Sequence, residues 1–470
     1  MIMPHDLCST GAPSVTLRSL WETCAAGDGV FHAPSGPTAV RALADGSILG
    51  GKLESLRGRS VLLATYDQLP TALALLELDG VARRLVLCTP DLTADQLRQV
   101  AATAQADAIV VDSTTAQREL PPLEVVVAGK MTSGGKLERH STNATEWILL
   151  TSGTTGQPKL VVHSVESLAG ALPRQPSSAR SMVWSTFYDI RRYGGLQIYL
   201  RAVISGVALV LSNAAEPVHD FLARAADAGV THISGTPSHW RRALMSGDTG
   251  LIRPEYVRLS GEVADQTVLD SLRAAFPQAR IAHAFASTEA GVAFDVNDGK
   301  AGFPADFIDK PQGSIDLKVQ DGTLWIRSAR TAVQYLGAAP QLPGAEHYID
   351  TGDLVELQAD RYYFRGRKGG IINVGGLKVY PEEVEAVINS DARVRMSLVK
   401  SKRNPITGAV IVAEVVLRDE PADEAAANTI KEELLETCRE NLSKHKVPAL
   451  LRFVPKLELT AAGKLVRANA

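Results

Sequence analysis

Between residues 60 and 112 the apolar positions come in short runs separated by stretches of helical spacing. Ser60-Val61-Leu62-Leu63-Ala64, Leu85-Val86-Leu87-Cys88 and Ala108-Ile109-Val110-Val111 read as strands, while 71–78 and 93–104 read as the helices between them. Strand–helix–strand alternation predicts a parallel sheet with helices on its faces. The pattern returns at 208–211, 230–233 and 281–284, so the region up to about 365 reads as a large α/β body.

The texture changes after residue 368. Lys368-Gly369-Gly370 gives way to a strand at Ile371-Ile372, a Gly-Gly turn and a helix from Pro381. Two β-rich runs (396–400 and 409–417) and a helix across 428–442 follow. Pro381 suits the first turn of a helix, and Glu382, Glu383 and Glu385 sit near its positive end. The acidic, alanine-rich stretch 420–427 reads as a loop. The expected division is 1–367 as an N-terminal α/β body that binds ATP and acid, and 368–470 as a small mobile α+β lid.

A chain of 470 residues is long for a single core and agrees with that division. With 45% apolar and 21% charged residues, it has the composition of a soluble globular protein. A net charge of −3 leaves no basic excess to displace phosphate counterions, which argues against nucleic acid or an anionic membrane as partner. Cys8, Cys24, Cys88 and Cys438 are scattered and read as free thiols in a reducing compartment. The start MIMPHDLCST lacks a basic segment followed by an apolar one, and no run is long enough to span a bilayer. The expectation is a cytoplasmic enzyme, monomer or homodimer.

The densest chemistry lies at residues 151–159, TSGTTGQPK, just after Trp147-Ile148-Leu149-Leu150. Gly153 and Gly156 let the backbone aim N–H groups inward. Thr151, Ser152, Thr154 and Thr155 add hydroxyls, and Lys159 adds charge, a set suited to polyphosphate oxygens. A Walker-type loop needs Gly-Lys-Ser/Thr opening into a helix. Here Pro158 precedes the lysine and a β-type run, Leu160-Val161-Val162, follows.

TSGTTGQPK resembles the signature loop of the adenylate-forming enzymes: acyl- and aryl-CoA synthetases, luciferases and peptide-synthetase adenylation domains. The resemblance extends, in order, across 147–467. Ala284-Phe285-Ala286-Ser287-Thr288-Glu289 is similar to the family's aromatic-Gly-x-Thr-Glu motif. It implies Thr288 at the α-phosphate, Glu289 on Mg²⁺ and Phe285 on adenine. Ala286 puts an extra methyl at the acyl pocket, and Ser-Thr-Glu taken alone more often caps a helix. Ser260-Gly261-Glu262 resembles the segment along adenine and the substrate carboxylate. Ile349-Asp350-Thr351-Gly352-Asp353 resembles the Thr-Gly-Asp motif whose aspartate accepts both ribose hydroxyls. Gly366-Arg367-Lys368-Gly369-Gly370 resembles the interdomain crossover, with Arg367 reaching the ribose and a hinge at Lys368 and Gly369. Two glycines replace the usual acidic pair there, which keeps a hinge but removes its carboxylates. Gly375 and Gly376, ahead of Pro381-Glu382-Glu383, would flank the pantetheine thiol. Thr460-Ala461-Ala462-Gly463-Lys464 is similar to the Thr-x-x-Gly-Lys that supplies the catalytic lysine, Lys464.

The resemblance implies two half-reactions. A carboxylate attacks the α-phosphorus of ATP, giving an acyl-adenylate and pyrophosphate. The lid then turns about Gly369, and a thiol takes the acyl group and releases AMP. The implied cofactors are ATP, Mg²⁺ and CoA, or a carrier-protein phosphopantetheine.

The acyl pocket falls to Tyr188, Asp189, Arg192, Tyr193, Gly194 and Ala286. Two arginines beside two tyrosines favour an aryl or short polar acid. Asp189 either mimics the amine-binding aspartate of amino-acid-activating relatives or simply pairs with Arg191 or Arg192. The alternatives are loading of a carrier protein, formation of an amide, and a non-catalytic nucleotide-binding regulator.

Overall fold

The structure is a computed structural model that describes residues 15–23, 29–133, 143–152, 157–169, 172, 181–213, 215–311, 313, 315–337, 342, 347–374, 376–404, 408–458 and 464–465. The chain forms two compact units. One holds Met1–Ser181, Tyr199–Ala208 and Ala332–Gln341, the other Met182–Ile198, Leu209–Thr331 and Leu342–Ala470.

The first unit is organised by a seven-stranded sheet. Its middle strands are the ones the apolar runs predict. Ser60–Leu63 lies between Arg84–Leu87 and Ala108–Val111, all parallel, with Glu124–Val127 outside the last. Helices Gln68–Leu78 and Ala94–Ala104 make the crossovers, the second opened by a capping box between Thr93 and Gln96. Leu62, Val86, Val100, Ile109 and Ile148 are buried together as its core.

Glu146–Ser152 joins parallel to Arg84–Leu87 and then turns back on itself as Pro158–His163. In that antiparallel pair Pro158 faces Ser152 and Lys159 faces Thr151. The segment is therefore a β-hairpin, and the strand that excludes a Walker loop is present.

In the second unit, parallel strands Val183–Thr186, His232–Gly235, Tyr256–Ser260 and Arg280–Ser287 are neighbours in that order, with Gly291–Val296 antiparallel beside the last. Helices Val218–Asp227, Pro237–Ser246 and Gln266–Ala275 pack Phe221, Leu222, Trp240, Leu269 and Leu272 into the core beneath Ile233 and Val257.

The α/β reading misses a five-stranded sheet in this region. Its order is Phe303–Pro304, Arg361–Arg367, Ile349–Gln358, Thr323–Ser328 and Ile315–Gln320, and every pair is antiparallel.

The C-terminal residues are α+β as expected. Helices Pro381–Asn389 and Glu424–Asn441 cover a three-stranded sheet of Val394–Asn404, Gly408–Leu417 and Leu450–Phe453, around Val384, Ile388, Val399, Val415 and Leu434. One expectation is corrected. The second helix begins inside the stretch 420–427, because Asp423 caps it by accepting the Ala426 N–H at 2.7 Å. Among the described residues no helix is long and apolar enough to cross a membrane.

Candidate active site

In the second unit, two turns, a pair of antiparallel strands and residues 464–465 bring chemistry together. The first turn follows strand His232–Gly235, where Thr236 caps helix Pro237–Ser246. Its hydroxyl accepts the His239 N–H at 3.0 Å, and the Thr236 N–H is donated to His239 Nδ1 at 3.1 Å. That second bond puts the imidazole proton on Nε2. Burial, with Arg242 nearby, pushes the His239 pKa down to about 3, so the ring is neutral. Phe187 stacks on it at 5.5 Å.

The second turn follows strand Tyr256–Ser260. Gly261 has φ +85°, a conformation that suits glycine. Glu262 then turns back to the helix start, taking the Ser238 N–H at 2.9 Å and the Ser238 hydroxyl at 3.0 Å. It also accepts the backbone N–H of Leu465 at 3.2 Å. This puts Lys464 against Gly261: a Cβ on that glycine would lie 3.4 Å from the lysine Cε and 3.9 Å from Nζ. Desolvation and the charges of Arg367 and Arg192 lower the Lys464 pKa from its ordinary value, against the pull of Glu262 and Asp353.

The strand pair belongs to the antiparallel sheet. Asp353 pairs in register with Arg367, whose Nε donates to Oδ1 at 3.0 Å and whose terminal nitrogen donates to Oδ2 at 3.5 Å. Burial raises the Asp353 pKa, and Arg367 partly offsets the rise. Asp353, Glu289 and Glu382 together hold the Arg367 guanidinium strongly protonated. Lys464, Glu262, Asp353, Arg367 and Glu289 thus act on one another electrostatically, although they are spread over some 200 residues of sequence. Glu289 is a single half-buried carboxylate. Magnesium shared with substrate phosphates asks for that kind of ligand, so the residue fits the ion.

The residues expected at the acyl pocket lie along 188–194, where helix Tyr193–Ser205 begins, and, for Ala286, on strand Arg280–Ser287. The Asp189 carboxylate is taken by Arg191, through the backbone N–H at 2.8 Å, Nε at 2.8 Å and a terminal nitrogen at 2.6 Å. Desolvation would raise its pKa, but Arg191 outweighs that and holds it below the ordinary range. Asp189 is therefore a loop-fixing group, not a free amine acceptor. The Tyr188 hydroxyl donates to the Ser260 carbonyl at 2.7 Å, and burial raises the pKa of both Tyr188 and Tyr193. Gly194 lies along the Tyr188 ring, since a Cβ there would meet it at 3.6 Å. Phe285 stacks on Phe364 at 4.9 Å and Ala286 follows it at a β-bulge, with Thr288 half-buried just beyond.

In the first unit, Thr151 and Lys159 face each other across the hairpin, and the Lys159 ammonium lies 5.7 Å from the Tyr335 ring centre. The backbone of Ser152 belongs to the hairpin strand, while Gly153, Thr154, Thr155, Gly156 and Gly375 lie outside the described residues. Gly376 has φ +87°, and Lys368 donates to Asp350 at 3.0 Å, which puts an ion pair beside the expected hinge at Gly369. Sequence reasoning missed Thr236, Ser238 and His239. The Thr-Pro step after an apolar run was the available signal for a capped helix start.

Fold and site together define an adenylate-forming enzyme. Residues 62–336 match the model of AMP-binding enzymes, and residues 383–464 that of the AMP-binding enzyme C-terminal domain. The chain belongs to the AMP-binding enzyme family. It is 29% identical over 353 residues to the 2-succinylbenzoate–CoA ligase of Listeria monocytogenes, covering 70% of each chain. It is 26% identical over 455 residues to a p-hydroxybenzoic acid–AMP ligase of Mycobacterium tuberculosis, covering 90% of this chain and 63% of that one. Among solved structures, the anthranilate CoA ligase AuaEII with anthranoyl-AMP superposes with a TM-score of 0.80 at 18% identity, over 97% of this chain and 96% of that one.

Proposed function

We propose that this enzyme activates an aryl or short polar carboxylic acid as its adenylate and passes the acyl group to the thiol of CoA, releasing AMP and pyrophosphate. The observation that carries the reading is Lys464, far along the sequence, held against Gly261 beside the Asp353–Arg367 pair.

Adenylation is mainly positioning and charge neutralisation. The Asp353 carboxylate is a natural bidentate acceptor for a ribose diol, and Arg367 favours its ionised form against burial. The Lys464 ammonium, and Arg192 near it, would steady the charge that builds between carboxylate and α-phosphate. Thr288 would donate to the α-phosphate. Glu289 would hold Mg²⁺, which when bound neutralises phosphate charge. The residues of 151–159 would hold the β- and γ-phosphates. Residues 368–470 are then the lid, turning about Gly369 to bring Gly375-Gly376 to the acyl-adenylate for attack by the thiol.

Relatives named as aryl acid ligases support the aryl preference. Relatives named for CoA support that acceptor, and the relative named as an acid–AMP ligase supports the adenylate as intermediate; loading of a carrier protein is the second reading.

The test is pyrophosphate release over a panel of benzoates, succinylbenzoates and short polar acids, followed by CoA, a phosphopantetheinyl carrier protein or an amine. Acid-dependent release with a CoA thioester as product is expected. Release with none of the acids would refute the reading.

A further inference from the structure

We infer that Gly261-Glu262 is a seat for Lys464-Leu465, and that Glu262 is a positioning residue that selects the adenylating placement of Lys464. The inference deepens the function proposed above and rests on it.

The seat grips two consecutive residues in two ways. Glu262 Oε1 accepts the backbone N–H of Leu465 at 3.2 Å, which fixes the main chain next to the lysine. Gly261 leaves an open face where a Cβ would meet the lysine Cε at 3.4 Å, and its φ of +85° keeps other residues from that position at no strain. Glu262 is itself held from behind. Its Oε2 takes the Ser238 N–H at 2.9 Å and its Oε1 the Ser238 hydroxyl at 3.0 Å, at the positive end of helix Pro237–Ser246. The carboxylate also opposes the loss of the lysine proton caused by desolvation and by Arg367.

A lysine has backbone and long side-chain freedom to lose when it is fixed in one placement. A fixed acceptor for the adjoining N–H converts part of that loss into preorganisation. On the two-step reading Lys464 serves only the first half-reaction, so the seat should matter there and not in the second. A general defect in the helix cap would depress both.

The experiment measures both half-reactions in the full-length protein. Adenylation is followed by pyrophosphate release, and thioester formation by supplying chemically made acyl-adenylate and CoA. In Glu262→Ala the ratio of the first rate to the second should fall about ten- to a hundred-fold, the range for losing a hydrogen bond to a charged group. The near-isosteric Glu262→Gln keeps an acceptor oxygen and should show a smaller fall in the same direction. Equal losses in both steps, or an unchanged ratio in both variants, would overturn the inference. Wild-type protein that releases no pyrophosphate with any acid would instead overturn the function on which it rests.

Discussion

Asp353→Asn separates what this carboxylate does for the nucleotide from what it does for the fold. Asp353 is 9% exposed, and burial raises its pKa above the ordinary carboxylate value despite Arg367. Burying its charged form therefore costs the folded state some stability, and a neutral amide of the same shape removes that cost. Arg367 loses its partner, but its side chain is 66% exposed and stays hydrated, so the broken pair costs at most about 1 kcal/mol. The net change in Tm should stay within about 4 °C. The ribose diol, by contrast, would lose two hydrogen bonds to a charged acceptor, about 1.5–3 kcal/mol each. That corresponds to a fall of about 10²–10⁴ in kcat/KM for ATP. Titrating ATP in the pyrophosphate assay, alongside calorimetry, measures both. A loss under ten-fold, or a collapse of Tm, would refute the reasoning. A companion variant, Arg367→Ala, removes the group that lowers the Asp353 pKa, so the acid limb of the pH–rate profile should move to higher pH.

Three further outcomes follow from the same geometry. Lys464→Met should lower adenylation about 10³-fold, because a charge about 4 Å from its partner is worth about 4 kcal/mol at an effective dielectric constant of 20. Since the ammonium pKa is lowered, wild-type adenylation should decline on the alkaline side below the ordinary lysine range, and the variant should lack that limb. Asp79 is buried, accepting the Leu17 N–H at 2.6 Å and the Trp147 indole N–H at 2.8 Å, with its pKa raised from 3.8 to about 6 mainly by burial. Its folded-state pKa exceeds the unfolded one, so about 3 kcal/mol of stability present below pH 3.8 is lost as pH rises through about 6. Urea midpoints across that window should fall in the wild type but stay flatter in Asp79→Asn, and identical slopes would contradict the assignment. Gly195→Ala would put a Cβ 2.2 Å from the Asp189 carbonyl oxygen, and a loss of about 3 kcal/mol should appear as a lowered urea midpoint.

Much of the candidate site is readable in the sequence because each motif is local. Thr-Gly-Asp, Ser-Thr-Glu and Gly-Lys each keep their chemistry within a few residues. Strands such as Ser60–Leu63 and Ala108–Val111 were legible as well, since all four positions of each are buried and the runs are unbroken. The antiparallel sheet was not, because its strands are half-buried. Ile315–Gln320 alternates buried and partly exposed positions, a weaker signal than a continuous run. The start of helix Glu424–Asn441 was hidden by an acidic composition that reads as a loop until Asp423 is seen as a cap. Asp189 allowed two partners in sequence, and only the geometry shows Arg191 taking it. No local pattern announces that Glu262 meets Leu465, because that bond spans 203 positions.

The central claim is that the acid's oxygen attacks the α-phosphorus of ATP. The measurement that reads this directly is the fate of ¹⁸O in an accepted acid labelled at both carboxylate oxygens, turned over with CoA. Acyl-adenylate chemistry predicts that AMP gains one ¹⁸O, the thioester keeps the other, and pyrophosphate carries none. Label in phosphate or pyrophosphate, or AMP without label, would contradict the account.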